Sequence, residues 1–353
     1  MKRYKFQRAT FPYLGSKLQQ SSTLASFINP KKYKVLVSPF AGGCSFELFA
    51  KRRLGMRIIS NDWSLISFAS QKALLENNHV KIELNDIYSV FSENKHEGFV
   101  KNIYSKFFTD EICDFLDTAS ENIRQIPKGT KKYLLSHLLV FFVIHLLPYG
   151  KMGCTTDIRN IREKGISESM DEAATSESRL RKFIKSTQHP LPLLKTLAGR
   201  VNAGIANNNQ ENLAYCEDVF SFLPKTQMFS DEAVLFADPP YFQSCSYNVY
   251  DSIGEILLGR KIGKNNSVFN SREVEMWFDK FFEESQHLGL WLITYGGKID
   301  NPNAFRAERF LKMIKRHRPK AKLLKFENFS WSINTFSGKS PKECEEYLVI
   351  AER

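Results

Sequence analysis

The chain has 353 residues, 42 percent of them apolar and 25 percent charged. That balance belongs to one large or two moderate folded domains and excludes disorder as the main state. Lys and Arg number 50 against 38 Asp and Glu, a net charge of +12, which suits a polyanionic partner, nucleic acid first among them, although many basic proteins bind none. The six cysteines, at 44, 113, 154, 216, 245 and 344, form no C-x-x-C pair and lie near no histidine at zinc spacing. Neither a structural zinc nor a disulfide framework is expected, and a reducing cytoplasm fits best. Residues 1–11 are basic and lack the apolar run of a signal peptide. The most apolar stretch, 134–147, carries His137 and His145 and is shorter than the ~20 residues of a bilayer span, so it predicts a buried helix and no membrane partner.

In chain order, Lys34–Ser38 (KVLVS) reads as a short buried strand. Gly42 and Gly43 then turn the chain, residues 45–54 read as a helix, and RIIS at 57–60 as a second strand ending at Asn61-Asp62. Strand, glycine turn, helix and strand make one βαβ unit. From residue 70 to 212 the chain is helix-like, with basic clusters at 159–164 and 179–185, and closes on a polar Asn207-Asn208-Asn209-Gln210 run. AVLFA at 233–237 predicts another buried strand, ending at Asp238-Pro239-Pro240-Tyr241. Residues 272–286 carry apolar side chains at helical spacing, and LWLITY at 290–295 and YLVIA at 347–351 read as later strands. The architecture predicted is one α/β domain from residues 1–69 and 213–353, interrupted by a helical insert at 70–212.

Four segments carry chemistry. Pro39-Phe40-Ala41-Gly42-Gly43 lies between a strand and a helix, where small residues let a ligand approach the backbone and the helix N-terminus favours an anionic group. On its own such a segment is more often a plain turn, and it is not a G-x-G-x-x-G fingerprint. Asp62, at the end of the next strand, suits the two hydroxyls of a ribose, or a helix N-cap. Asp238-Pro239-Pro240-Tyr241 is the most informative segment. The exocyclic amine of an aromatic base is a poor nucleophile because its lone pair is conjugated into the ring. A carboxylate from Asp238 accepting one N–H and the carbonyl of Pro239 accepting the other would return electron density to nitrogen. The two prolines stiffen the turn and remove competing donors, and Tyr241 can stack on the base. Upstream, Tyr13 and Lys17 in FPYLGSK could pack on a cofactor and pair with its carboxylate, or form an ordinary turn with a solvated lysine.

Taken in order, YLGSK at 13–17, PFAGG at 39–43, Asn61-Asp62, the helical insert and DPPY at 238–241 resemble the Dam-like, alpha-group DNA adenine-N6 methyltransferases. The resemblance implies a Rossmann-like, mostly parallel sheet with a reversed last strand, and a target-recognition region in the insert. It implies S-adenosylmethionine as cofactor, no metal, and double-stranded DNA as substrate, with the adenine flipped out of the helix before a direct in-line transfer. Carried over by position, Tyr13, Lys17, Pro39, Phe40, Ala41, Gly42, Asp62, Asp218 and Asp238 would line the cofactor site. Asp238, Pro239, Pro240 and Tyr241 would hold the adenine. A monomer suffices to flip one base, and a cognate restriction endonuclease is a partner the family allows. Three positions depart from the pattern: Cys44 stands where a third glycine is frequent, Ser38 where an acid is common, and Trp63 where a smaller residue is usual.

The place of the family's recognition turn is taken by Pro148-Tyr149-Gly150-Lys151-Met152-Gly153, followed by Arg159. Tyr149, Lys151 and Arg159 are the candidate DNA contacts, with a helix-capping loop as the plain alternative. Residues 306–325 hold nine Lys and Arg, which suits a solvated outer helix or a DNA-facing one. Three other functions compete with the leading one: methylation of a cytosine amine, methylation of RNA, and an inactive nucleic-acid-binding module that kept the fold.

Overall fold

The structure is a computed structural model that describes residues 9–13, 15–91, 98–105, 108, 110–146, 190–241, 248–263, 267–298, 307–326 and 344–353. Its centre is a seven-stranded sheet of β1 (Val35–Ser38), β2 (Arg57–Asn61), β3 (Leu213–Tyr215), β4 (Ala233–Ala237), β5 (Leu290–Lys298), β6 (Lys322–Lys325) and β7 (Cys344–Glu352). The spatial order is β3-β2-β1-β4-β5-β7-β6. The first five strands in that order pair in parallel, and β7 runs antiparallel to both β5 and β6. This is the mostly parallel sheet with one reversed strand that the sequence predicts. β1 and β4 are buried along their whole length, as strands covered on both faces must be.

Alternation along the strands sends side chains to two cores. Leu36, Phe236, Leu292 and Leu348 enter one, and Val37, Leu235, Ile293 and Val349 enter the other. The second core is closed by α9 (Val219–Phe222), α11 (Val274–Glu284) and α12 (Ala307–His317), which contribute Phe222, Phe278, Phe281, Phe282, Phe310 and Ile314. The first is closed by α2 (Ser45–Phe49), α3 (Leu65–Ser70) and a set of helices from the middle of the chain. Near the N-terminus the structure also has α1 (Ser21–Ser26), and the middle helices are α4 (Leu84–Val90), α5 (Phe99–Tyr104), α6 (Asp110–Gln125), α7 (Thr130–Leu146) and α8 (Pro190–Gly204), with α10 (Asn248–Leu258) after β4. Residues 134–146 of the apolar stretch form most of α7, buried on every side from Leu134 to Val143. The described part of the central region therefore shares its core with the sheet. No helix among the described residues is long and apolar enough to cross a membrane.

His137, on α7, shows how tightly this layer is tied. One ring nitrogen lies 2.9 Å from Ser70 Oγ and the other 3.0 Å from the carbonyl oxygen of Ala9. Burial pushes the imidazole down to about 4, despite the hydrogen bond to Ala9. The unfolded chain takes up its proton near 6.5 and the folded chain only near 4, so stability from this site is lost as pH falls through that window. Relative to His137→Leu, the wild type is expected to lose on the order of 3 kcal/mol between about pH 6.5 and 4. Urea unfolding of the two proteins across that range measures the difference, and a constant gap would show that His137 does not titrate there.

The basic residues at the helix ends behave unequally. Lys51 is buried and donates to the carbonyls of Leu74 (3.1 Å) and Asn77 (2.6 Å), so it ties two helical segments together rather than capping its own. On α12, Arg309 pairs with Glu275 of α11, and Arg316 lies 2.9 Å from Asp279. These pairs favour the outer-helix reading of the basic run at 306–325 over a DNA-facing one.

Candidate active site at the strand carboxyl ends

Sheet order reverses between β1 and β4, and at such a point the loops leaving neighbouring strands diverge and open a crevice. Here the crevice is a cavity of about 980 Å³, lined by the loops after β1, β2, β3 and β4 together with Tyr13, Gly15 to Lys17, Ile262, Gly263 and Ser267 to Asn270. Asn61, fully buried at the end of β2, holds three of these loops in register. Its backbone carbonyl accepts from Ala41 N (3.0 Å). Its side chain donates to the carbonyls of Pro39 (3.3 Å) and Glu217 (3.1 Å) and accepts from Glu217 N (3.0 Å). Asn61→Ala is expected to unfasten the loops and cost about 2–3 kcal/mol, since it leaves buried backbone groups unpaired. Denaturant unfolding checks this, and a loss under ~0.5 kcal/mol, the scale of an ordinary surface change, would show that the loops hold without it.

The glycine turn has a packing cause as well as a ligand one. Gly42 sits at φ +49, and a Cβ there would come within 2.9 Å of the Tyr13 ring; at Gly43 it would lie 2.6 Å from Tyr13 Cβ. Tyr13 is thus laid flat on the turn, and its ring also stacks on Tyr250 with centroids 4.5 Å apart. Cys44 occupies the left-handed region, φ 58, at the position where the resemblance leads us to expect glycine. The backbone keeps the glycine-like conformation, and burial pushes the thiol well above its ordinary range.

Asp62 faces the turn from β2. Its two oxygens accept from Gly42 N (2.7 Å) and Ser64 N (2.8 Å), so the ribose-acceptor and capping readings are not exclusive: each oxygen keeps a lone pair. Burial raises its carboxyl to about 6 against those two hydrogen bonds. Trp63 beside it is 55% exposed at the cavity rim. Asp218 also lines the cavity, and its side chain caps α9 through Phe220 N (2.9 Å). Phe40 reaches the cavity with its ring edge-on to Phe269, centroids 5.4 Å apart.

At the far end lies Asp238, 20% exposed. Its Oδ1 accepts from Thr294 Oγ1 (2.8 Å) and lies 3.0 Å from the Tyr241 hydroxyl. Its Oδ2 is 2.5 Å from Lys17 Nζ. Lys17 spends its other donors on the Gly15 carbonyl (2.7 Å) and on Glu346 (2.9 Å). The sequence leads us to expect this ammonium against a cofactor carboxylate; in the structure all three donors meet protein acceptors. Burial alone would lower its pKa, but the charges of Asp238 and Glu346 outweigh that and raise it, so it stays an ammonium and neutralises the motif's carboxylate. Tyr241 is 4% exposed. Its ring lies against Tyr295, centroids 5.0 Å apart, and its hydroxyl sits 2.9 Å from Glu346 Oε1. Pro240 and Tyr241 line the cavity at this end.

Glu346 is a residue that sequence reasoning misses. It lies on β7 opposite Gly296, is 1% exposed, and burial raises its carboxyl against the pull of Lys17. The signal is present in the chain: an acid at the alternation position shared with Leu348 and Ile350 must face inward, and a charge there needs a partner. Thr294, within the predicted LWLITY strand, is likewise not singled out by its sequence context. The candidate DNA contacts Tyr149, Lys151 and Arg159 lie outside the described residues.

An α/β sheet with one reversed strand, a glycine turn at its switch point and a polar Asp-Pro-Pro-Tyr end on β4 define a nucleotide-modifying transferase class. Residues 13–148 match the model of the D12 class N6 adenine-specific DNA methyltransferases. Over 347 residues, 96% of each chain, the sequence is 27% identical to the Type II methyltransferase M2.HphI of Haemophilus parahaemolyticus. Both comparisons support an adenine-specific DNA methyltransferase, similar to the Dam-like adenine-N6 family.

Proposed function

We propose that the chain takes its methyl group from S-adenosylmethionine and delivers it to the N6 amine of an adenine flipped out of duplex DNA. The observation that carries this reading is the placement of Asp238 at one end of a cavity whose other end is formed by Asp62 and the Gly42 turn. The residues fit the cofactor: the cavity can hold a nucleoside with an amino-acid tail, and its acids suit a ligand that carries an ammonium and a sulfonium. Asp62 would take the ribose hydroxyls, Trp63 and Phe40 would flank the adenine ring, Asp218 would reach the ring's amine, and Pro39, Ala41, Gly42 and Tyr13 would form the floor. When bound, the cofactor supplies an electrophilic methyl group that needs no metal.

The chain's own residues do the rest. Thr294 and Lys17 fix Asp238 in one orientation, so that its remaining lone pairs and the Pro239 carbonyl accept the two amine hydrogens. Pro240 and Tyr241 limit the base to one plane, and transfer rests on positioning and charge. Pairing of Asp238 with Lys17 makes a preorganised dipole that costs no rearrangement as positive charge grows on the amine. Target recognition falls to the 70–212 segment, with Tyr149, Lys151 and Arg159 as its DNA contacts, and the catalytic unit comprises 1–69 and 213–353. The net positive charge offsets part of the few kcal/mol of base unstacking through phosphate contacts. The resemblance to a Type II methyltransferase favours work beside a restriction endonuclease, as a monomer in the cytoplasm. Base flipping is tested with 2-aminopurine placed at the methylated adenine. Fluorescence should rise several-fold on binding, and unchanged fluorescence in a bound complex would contradict extrusion.

A further inference from the structure

One carboxylate in the cavity wall has no task in the mechanism above. Glu47, in the first turn of α2, is 1% exposed and lines the cavity. Its Oε1 accepts from Ser38 Oγ at 2.7 Å, and Ser38 is itself fully buried. Among the described residues no cation pairs with it; the charged groups acting on it are the carboxylates of Asp238 and Asp62. A buried acid between two others, without a cation, is costly unless a positive ligand arrives. Burial accordingly raises its carboxyl to about 7, the Ser38 hydrogen bond notwithstanding.

We propose that Glu47 is the binding residue for the α-ammonium group of the cofactor's amino-acid tail, held in place by Ser38. Where the resembling family commonly has an acid at the strand end, this chain has Ser38, and it places a carboxylate in the first turn of the following helix, against that serine's hydroxyl. The acid has moved from the strand to the helix, and the cavity keeps its negative wall. Lys17, engaged by Asp238 and Glu346, leaves the ammonium end of the tail free to approach from this side. The inference rests on the cofactor reading given above.

The test is equilibrium binding by calorimetry to the full chain, using S-adenosylhomocysteine, its analogue lacking the α-amino group, and methylthioadenosine, which lacks the amino-acid tail. Wild type should bind the deamino analogue about tenfold more weakly than S-adenosylhomocysteine, about 1.4 kcal/mol. Glu47→Gln, which keeps the Ser38 hydrogen bond, should bind S-adenosylhomocysteine about tenfold more weakly, with methylthioadenosine unchanged and the preference for the amino group gone. Unchanged methylthioadenosine affinity also shows that the variant is folded. Should it not fold, the wild-type comparison of the first two ligands still decides, and equal affinities would overturn the inference. A Glu47→Gln variant that retains the amino-group preference would overturn it while leaving the cofactor reading intact. Failure of all three ligands to bind wild type would overturn both.

Discussion

Asp238→Ala is expected to lower kcat for methyl transfer on the order of 10³-fold, the scale seen when a preorganised polar group is removed from a reacting centre. DNA affinity should stay within about twofold, because phosphate contacts rather than the target amine supply most of the affinity for DNA. The asymmetry follows from the geometry. The carboxylate is held by Thr294 on Oδ1 and Lys17 on Oδ2, with one-fifth of its surface open to the cavity, so it is oriented without help from substrate. Without it the adenine amine keeps its conjugated lone pair and loses an acceptor. Asp238→Asn offers the same shape with half the acceptor capacity and no charge, and should recover little. Single-turnover transfer and filter binding measure the two effects separately, and full activity in either variant would remove the proposed role.

The second large effect is expected at Lys17. Lys17→Met leaves Asp238 and Glu346 facing each other around the Tyr241 hydroxyl with no cation, in a place where Glu346 is 1% exposed. Breaking a buried ion pair by removing one partner typically costs about 3–5 kcal/mol, and that loss should appear at about pH 8. The sign of its pH dependence is fixed. Glu346 already has its carboxyl raised by burial, and the loss of Lys17 raises it further. A folded-state value above the unfolded one means that stability is lost as pH rises from the unfolded value, near 4.5, through the folded one. The variant should therefore be nearest to wild type at about pH 4–5 and furthest from it at about pH 8. Adding Glu346→Gln should return much of the stability, though not the activity, because Asp238 would still lack its cation. Urea unfolding at the two pH values, with the double variant, tests all three statements. A pH-independent loss with no recovery would point to packing alone.

Much of the site is legible in the sequence. β1, β2, β4, β5 and β7 carry runs of branched apolar residues, and each run ends where a polar or glycine-rich segment begins, because a strand buried on both faces tolerates little else. Only β3 and β6 escape. The first is three residues long, and the second, Lys-Leu-Leu-Lys, is an exposed edge strand whose flanking lysines read as helix surface. Asp62 and Asp238 stand out as acids at the ends of predicted strands, and Asp218 is reached through the family resemblance alone. Glu346 and Glu47 do not stand out, because each lies inside a regular element and its importance depends on what faces it from a distant part of the chain. Lys17 reaches the cavity that its motif suggests, and there it meets Asp238 and Glu346. Its destination is set by the return of β7, which spacing along the chain does not encode. The glycine turn reads as a device for ligand approach, whereas the side chain of Tyr13 also presses on both glycines, its ring on Gly42 and its Cβ on Gly43.

The proposed reaction moves a methyl group from S-adenosylmethionine to adenine N6 in DNA. The most direct measurement incubates the full chain with S-adenosylmethionine and unmethylated duplex DNA, digests the product to nucleosides and reads the methylated bases by mass spectrometry. The account predicts N6-methyladenine, dependent on the cofactor and absent with Asp238→Ala. Methylation on cytosine, or none on DNA that the protein binds, would contradict it.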